Sequence, residues 1–259
     1  MRKPLIVISN DDGIKSAGLK TLYKAVAGLG DVIIAAPDRE RSGASHSLSV
    51  IKPIKIKKVK FGTAKAYAVS GTPVDCAKLA LLSLAGRKPD LLLSGINHGP
   101  NTAQFILYSG TIGAAAEAAI LGIPALAFSI DSYEPREWEF AEDFIRRFVT
   151  AVLDKKIRMK PHTLLNVNLP HSPKAAVKGV KILPRGGNEY GEAYRLVKKD
   201  KKGGALYMHT IMEKVKRKTD ISDADGVESG YVTVTPLKFD LNDTDFMRKM
   251  KKAGLKLLK

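Results

Sequence analysis

The chain is poor in cysteine, in tryptophan and in acidic residues, and each shortage narrows what it can be. A single cysteine, Cys76, among 259 residues excludes an intramolecular disulfide and a cysteine metal cluster. No apolar run approaches the ~20 residues that a bilayer-spanning helix needs. The opening segment MRKPLIVISNDDG has two basic residues and a short apolar run. It then turns acidic instead of reaching a small-residue cleavage site, so it reads as a first β-strand. A cytoplasmic protein with no membrane partner is expected. Also missing are a Walker loop, a G-x-G-x-x-G turn and a G-x-S-x-G elbow. Two aspartates separated by one residue after a strand, the usual dress of an aspartyl-phosphate enzyme, are absent as well: that spacing pairs Asn10 with Asp12.

Acid is scarce against base, 26 residues to 43, for a net charge of +17. Such a surface attracts polyanions; it equally suits a lysine-rich solvated surface of the heat-adapted kind. The excess is uneven. Lys198, Lys199, Lys201, Lys202, Lys214, Lys216, Arg217 and Lys218 crowd one stretch, and Arg248, Lys249, Lys251, Lys252, Lys256 and Lys259 crowd the tail. A nucleic-acid-binding protein is therefore a rival reading. No binding motif and no basic–aromatic interleaving supports it, and no specific nucleic-acid partner is expected.

What is present is an alternation of strands and helices. Residues 4–9 are continuously apolar, as in a strand buried on both faces of a parallel sheet. Leu19, Leu22, Tyr23, Val26 and Ala27 recur at helical spacing up to Gly28 and Gly30. A strand over 32–36, a half-exposed strand over 50–60 and a short one over 66–69 follow. Thr72 and Pro73 open a helix to about residue 84. Then come a strand at 90–93, a loop at 95–101, an Ala-rich helix at 111–120, a strand at 124–130 and an amphipathic helix at 136–153. The pattern predicts an α/β fold with a Rossmann-like three-layer core and a mostly parallel sheet over residues 1–155. Strand candidates at 163–168, 178–183, 205–212 and 230–237 dominate residues 156–259, a β-rich extension expected to serve oligomerisation. Residues 186–204 read as loop and exposed hairpin, and a last helix starts near Thr244.

In α/β sheets ligands bind beyond the carboxyl ends of the strands. The residues that follow the first strand are Ser9, Asn10, Asp11, Asp12 and Gly13; those after the second are Asp38 to Gly43; those after the strand at 90–93 are Ser94 to Asn101. Two adjacent carboxylates repel at a shared site. A hard divalent cation, Mg²⁺ or Mn²⁺, relieves the conflict and accepts hydroxyl and amide oxygens, so Ser42 and Asn97 join Asp11 and Asp12 as candidate ligands. Asp11-Asp12-Gly13 also suits a turn or a helix cap. The segment Tyr108-Ser109-Gly110-Thr111 opens a helix and reads either as a phosphate cradle of N–H groups and hydroxyls or as ordinary capping. Cys76 lies among Ala and Leu as a core residue. His46 and His98 fall in site loops, and His98 is within reach of a substrate; His162, His171 and His209 lack ligand spacing.

Seven segments, in order, carry a family resemblance: SNDDG at 9–13, APDRERSGASHSLS at 36–49, SGTPVDC at 70–76, SGIN at 94–97, GPN at 99–101, YSGTIGAA at 108–115 and GIPALAFS at 122–129, with GYVTVTPL at 230–237 further on. The chain resembles the SurE family of survival-protein nucleotidases, densely in its N-terminal half and sparsely after it. The resemblance implies phosphatase activity on nucleoside monophosphates, often with polyphosphate hydrolysis. It implies one divalent metal on residues matching Asp11, Asp12, Ser42 and Asn97, with Asp11 and Asp12 catalytic. Asn10, Gly43, Asn101, Ser109, Gly110 and Thr111 are the expected phosphate-binding set. It further implies a homodimer or homotetramer exchanging a C-terminal element, a part the apolar positions of the tail at 244–258 suit. Thr102, Ala103, Gln104 and Phe105 depart from the family pattern of Leu-Gly and an acidic pair, which puts loop shape and nucleotide preference in question. A nucleotide-binding module with an inert metal site is the second rival.

Overall fold

The computed structural model describes residues 2–171, 176–187, 190–200, 203–214 and 221–254. Strand β1 (Leu5–Ser9) is buried along its whole length because it sits mid-sheet. Ile6 and Ile8 face one apolar layer and Leu5 and Val7 the other. The sheet continues with β2 (Asp31–Pro37), β3 (Ile56–Phe61), β4 (Ala64–Val69), β5 (Leu91–His98), β6 (Ala125–Ile130), β7 (Leu164–Leu169), β8 (Val180–Ile182) and β11 (Val232–Leu237), in the order β3-β4-β2-β1-β5-β6-β7-β11-β8. A separate antiparallel hairpin pairs β9 (Tyr190–Lys199) with β10 (Ala205–Lys214). Within the sheet only the β3–β4 and β7–β11 pairs are antiparallel. The parallel strands, taken in chain order, lie 3-2-1-4-5-6, the doubly wound arrangement whose switch point falls between β1 and β5.

Helices cover both faces. α1 (Ala17–Val26) and α4 (Glu139–Leu153) pack on one side through Leu19, Leu22, Ile145 and Val149. α2 (Pro73–Leu79) and α3 (Gly110–Ile120) pack on the other through Cys76, Ala77 and the alanines of α3. The expected three-layer α/β core is thus present, with the β-rich hairpin after it. α2 begins as its sequence requires: Thr72 and Asp75 form a reciprocal capping box, and Pro73 stands in the first turn. Its α geometry stops at Leu79 and continues as a π turn, Ala80–Leu84, short of the single helix expected to residue 84.

Two further boundaries differ from expectation. The strand expected over 50–60 begins only at Ile56; Pro53 lacks the N–H that a paired strand needs, and Val50 and Ile51 are exposed. β5 runs on to His98 through the expected loop, with a register break between Ser94 and Asn97. Gly95 permits that break: its φ is +122°, and a Cβ there would stand 2.2 Å from the Phe128 carbonyl oxygen. β9 supplies a strand of the hairpin expected within residues 186–204, and α5 (Asp223–Glu228) is a helix where no element was expected. α6 (Thr244–Ala253) starts where expected and buries none of its residues. Leu255 and Leu258, and Lys201, Lys202, Lys216, Arg217, Lys218, Lys256 and Lys259, lie outside the described residues. No described helix is long and apolar enough to cross a membrane.

Candidate active site

The β1–α1, β2 and β5 loops meet at the switch point in a cleft of about 900 Å³. Asp11, Asp12, Ser42, Gly43, Asn97, Asn101 and Ser109 all line it. Convergence of loops far apart in sequence is what the parallel topology imposes. The loops are also tied together directly, by Arg41 N–H to the Asp11 carbonyl at 2.8 Å and Ile14 N–H to the Pro37 carbonyl at 2.8 Å.

Asn10, Gly110 and Thr111 stand behind the cleft instead of in its wall. The Asn10 amide donates to the Gly13 carbonyl (3.1 Å) and to Ser16 Oγ (2.8 Å), fixing the turn into α1. The Thr111 hydroxyl donates to Asp11 Oδ1. A Cβ on Gly110 would come within 2.8 Å of both Asp11 Cβ and Pro73 Cγ, so the absence of a side chain lets α3 begin against Asp11. The N-terminus of α3 therefore serves the carboxylate: N–H groups of Thr111 and Gly110, together with the Thr111 hydroxyl, counter the burial that pushes the Asp11 carboxyl above its usual range.

Asp12 is less well provided. Burial, then the charges of Asp11 and Glu40, push its carboxyl up to about 7, with only a His98 N–H opposing them. Its Oδ2 is buried with no hydrogen-bond partner. Ser42 Oγ donates to Glu40 Oε1 at 2.7 Å, which leaves its lone pairs open. The Asn97 amide nitrogen donates to the carbonyls of His98 (3.2 Å) and Gly99 (2.7 Å), which fixes the orientation of the side-chain amide.

Asn101 is the most tightly held residue of the site. Its N–H donates to Asn168 Oδ1 (2.8 Å), its carbonyl accepts from Asn166 Nδ2 (2.8 Å) and Asn168 Nδ2 (3.1 Å), and its own amide donates to Ser129 Oγ (2.8 Å). All three partner residues are buried, so these four bonds are made in a low-dielectric setting and fix the loop sharply. Ser109 caps α3 by accepting from Ile112 N–H at 3.1 Å. The loop bearing Ser42 and Gly43 is bound to the same segment by Ser45 Oγ to the Leu107 carbonyl (2.7 Å).

Glu40, of the cluster after the second strand, lines the cleft, and several lining residues were not singled out from sequence: Lys15, Asp131, Tyr133, Tyr190 and Ile211. Asp131 follows β6 directly, so the strand-end rule applied once more finds it; burial and the Glu228 charge raise its carboxyl, against the pull of His171. Nothing in the local pattern marks Tyr190 and Ile211, which the hairpin brings in. The departing segment Thr102–Phe105 enters the 3₁₀ turn Ala103–Leu107 and places Thr102 and Phe105 in the wall. Cys76 is fully buried, and burial pushes its thiol up, as befits a core residue. Asp11, Asp12, Glu40 and Asp131 outnumber the single lysine, Lys15, so the cleft is acidic on a basic protein.

Fold and cleft together define a Rossmann-like α/β protein with an acidic cleft at its switch point. The family model described as survival protein SurE matches residues 6–192, and the chain belongs to that family. A protein of Syntrophomonas wolfei named 5′-nucleotidase SurE is 37% identical over 250 residues, covering 96% of this chain and 94% of its own. One of the same name from Chlorobium phaeobacteroides is 38% identical over 257 residues, covering 99% and 98%. The crystal structure of the SurE protein from Aquifex aeolicus aligns with TM-score 0.84 at 37% identity, over 96% of this chain and 99% of that one.

Proposed function

We propose that the chain is a divalent-metal-dependent 5′-nucleotidase, a phosphomonoesterase that hydrolyses nucleoside monophosphates to nucleoside and phosphate. Nucleoside 3′-monophosphates and polyphosphate are included in the proposed substrate range. The observation that carries the reading is the pair Asp11 and Asp12 on the cleft floor, with Asp12 Oδ2 buried and unpartnered, in a family whose relatives bear that name.

The residues fit one hard cation. Among the described residues no three His, Cys, Asp or Glu side chains group to hold a metal. A site here must use neutral oxygens, and Ser42 Oγ and the Asn97 carbonyl oxygen supply them beside Asp11 and Asp12. An all-oxygen set of two charges suits Mg²⁺ or Mn²⁺. Bound there, the ion supplies Lewis acidity toward a phosphate oxygen and lowers the pKa of water. Asp11 is committed to Thr111, so Asp12, which also lines the cleft, is the carboxylate left to orient the attacking water or accept its proton. The Asn101 amide, the Ser109 hydroxyl and the Gly43 main chain border the cleft where the remaining phosphate oxygens lie, and Lys15 adds a positive charge. Asn10, Gly110 and Thr111 contribute by holding the β1–α1 turn and Asp11 in place.

A homodimer or homotetramer sharing the C-terminal element belongs to the same proposal, supported by an α6 that buries nothing and exposes Phe246, Met247 and Met250. So does a cytoplasmic location. The test is phosphate release from a panel of nucleoside monophosphates, an aryl phosphate and polyphosphate, with Mg²⁺, Mn²⁺ or chelator. Release from nucleotides that chelator abolishes is expected. Folded protein that releases nothing with either metal overturns the reading.

A further inference from the structure

Aromatic side chains make up 7% of the chain, yet four of the twenty residues lining the cleft, Phe105, Tyr108, Tyr133 and Tyr190, carry aromatic rings. Two of them form a unit. The Phe105 and Tyr190 rings lie 5.4 Å apart at 46°, each partly exposed, and Ile211 of β10 extends the same apolar wall. The catalytic floor is acidic and polar, so this wall is chemically distinct from it. It does nothing for a phosphate group, but it borders the cleft with aromatic surface that suits a group attached to one.

The wall is also preorganised from the far end of the chain. Ala103 takes a left-handed φ of 49°. It is held there by its N–H to Asp223 Oδ1 (3.2 Å) and by Arg185 donating to its carbonyl (3.3 Å). Gln104 Nε2 donates to the Tyr190 carbonyl (2.9 Å), locking the 3₁₀ turn to the start of β9, and the Tyr190 hydroxyl donates to Glu228 (2.7 Å). These anchors come from residues after 184 and act together with the Ser45 bond to Leu107, so the C-terminal extension helps to fix where Phe105 stands.

We propose that Phe105 and Tyr190 form the nucleobase subsite of this cleft, an aromatic platform on which the base stacks while its phosphate reaches Asp11 and Asp12. The inference rests on the nucleotidase reading and deepens it: the β9–β10 hairpin is part of the substrate site. Stacking reads a π-face that every base has, so the platform favours nucleotides over base-free phosphate esters without selecting one base sharply.

The test compares kcat/KM for AMP with kcat/KM for ribose 5-phosphate in wild type, Phe105→Ala, Phe105→Trp, Tyr190→Ala and Tyr190→Phe. The AMP-to-ribose 5-phosphate ratio is expected to fall about ten-fold in Phe105→Ala and Tyr190→Ala, the size of one lost base–aromatic stack. It should be restored in Phe105→Trp and kept in Tyr190→Phe, which loses only the Glu228 hydrogen bond. The Gln104 bond goes to the Tyr190 main chain and survives every Tyr190 variant. A ratio unchanged in both alanine variants overturns the proposal, whatever happens to the absolute rates. Equilibrium binding of AMP and of inorganic phosphate separates the two readings. AMP binding that depends on Phe105 without turnover retains the subsite and sinks the nucleotidase, and turnover with no Phe105 dependence does the reverse.

Discussion

Replacing Asp12 by asparagine should stabilise the metal-free protein while abolishing its catalysis. The Asp12 carboxyl ordinarily titrates at 3.8 and is pushed up to about 7 in the fold by burial and by the neighbouring Asp11 and Glu40. Between those two pH values the folded chain holds a proton that the unfolded chain has released, so stability falls as pH rises through the window. Each pKa unit is worth about 1.36 kcal/mol, which bounds the loss at about 4 kcal/mol. Asp12 is only partly buried by surface area, and relaxation around it halves that to about 2 kcal/mol. For a chain of this size, about 2 kcal/mol corresponds to roughly 4–8 °C in Tm. Thermal unfolding in chelator should therefore give a lower Tm at pH 8 than at pH 5, and Asp12→Asn should recover most of the difference at pH 8. Adding Mg²⁺ or Mn²⁺ at pH 8 should raise the wild-type Tm and leave that of Asp12→Asn nearly unmoved. An Asp12→Asn protein that melts below wild type in chelator at pH 8 would refute the argument that Asp12 is an uncompensated charge.

The Asn101 clamp makes a second prediction. Asn168→Ala removes two hydrogen bonds to Asn101 and should lower kcat by about ten-fold or more, because a displaced loop misplaces its amide; unchanged kinetics would mean that the clamp only supports the fold. Gly110→Ala forces a Cβ against Asp11 and Pro73 and should cost about 1–3 kcal/mol along with activity, read by denaturant melts and phosphate release. Asp75 receives hydrogen bonds from Ser49 and Thr72, which hold its carboxyl below the usual range. Its contribution is present above about pH 4 and lost below as the carboxylate protonates. Asp75→Ala should cost about 2 kcal/mol near neutral pH and less in acid, a difference that urea melts at two pH values would measure.

The fold's grammar was legible because it is local. The apolar 5–8 run leading into Ser9 can only be a strand covered on both faces, Thr72-Pro73 can hardly avoid starting a helix, and the alternation of such units dictates a parallel sheet with crossovers. Strand-end logic then brought Asp11, Asp12, Ser42, Asn97 and Asn101 to one edge, the helix-opening segment added Ser109, and the cleft contains them all. Where the chain's own pattern is ambiguous, the reading stopped short. Gly95, Ile96 and Asn97 read as loop, but their pairing with β6 continues the strand. Whether Thr111 meets a phosphate or a carboxylate depends on Gly110 letting α3 approach Asp11, a fact about two segments a hundred residues apart. Asn166 and Asn168 look like ordinary strand residues until β7 is set beside β6 and Asn101 settles on them. Sequence determined the order and type of the core's strands and helices, because periodicity and capping are near-neighbour physics. Only tertiary structure decided which of those ends share a buried space, which carboxylate is partnered and which is left open, and that Phe105 and the distant hairpin make one wall, because burial and long-range hydrogen bonds exist only once the layers have packed.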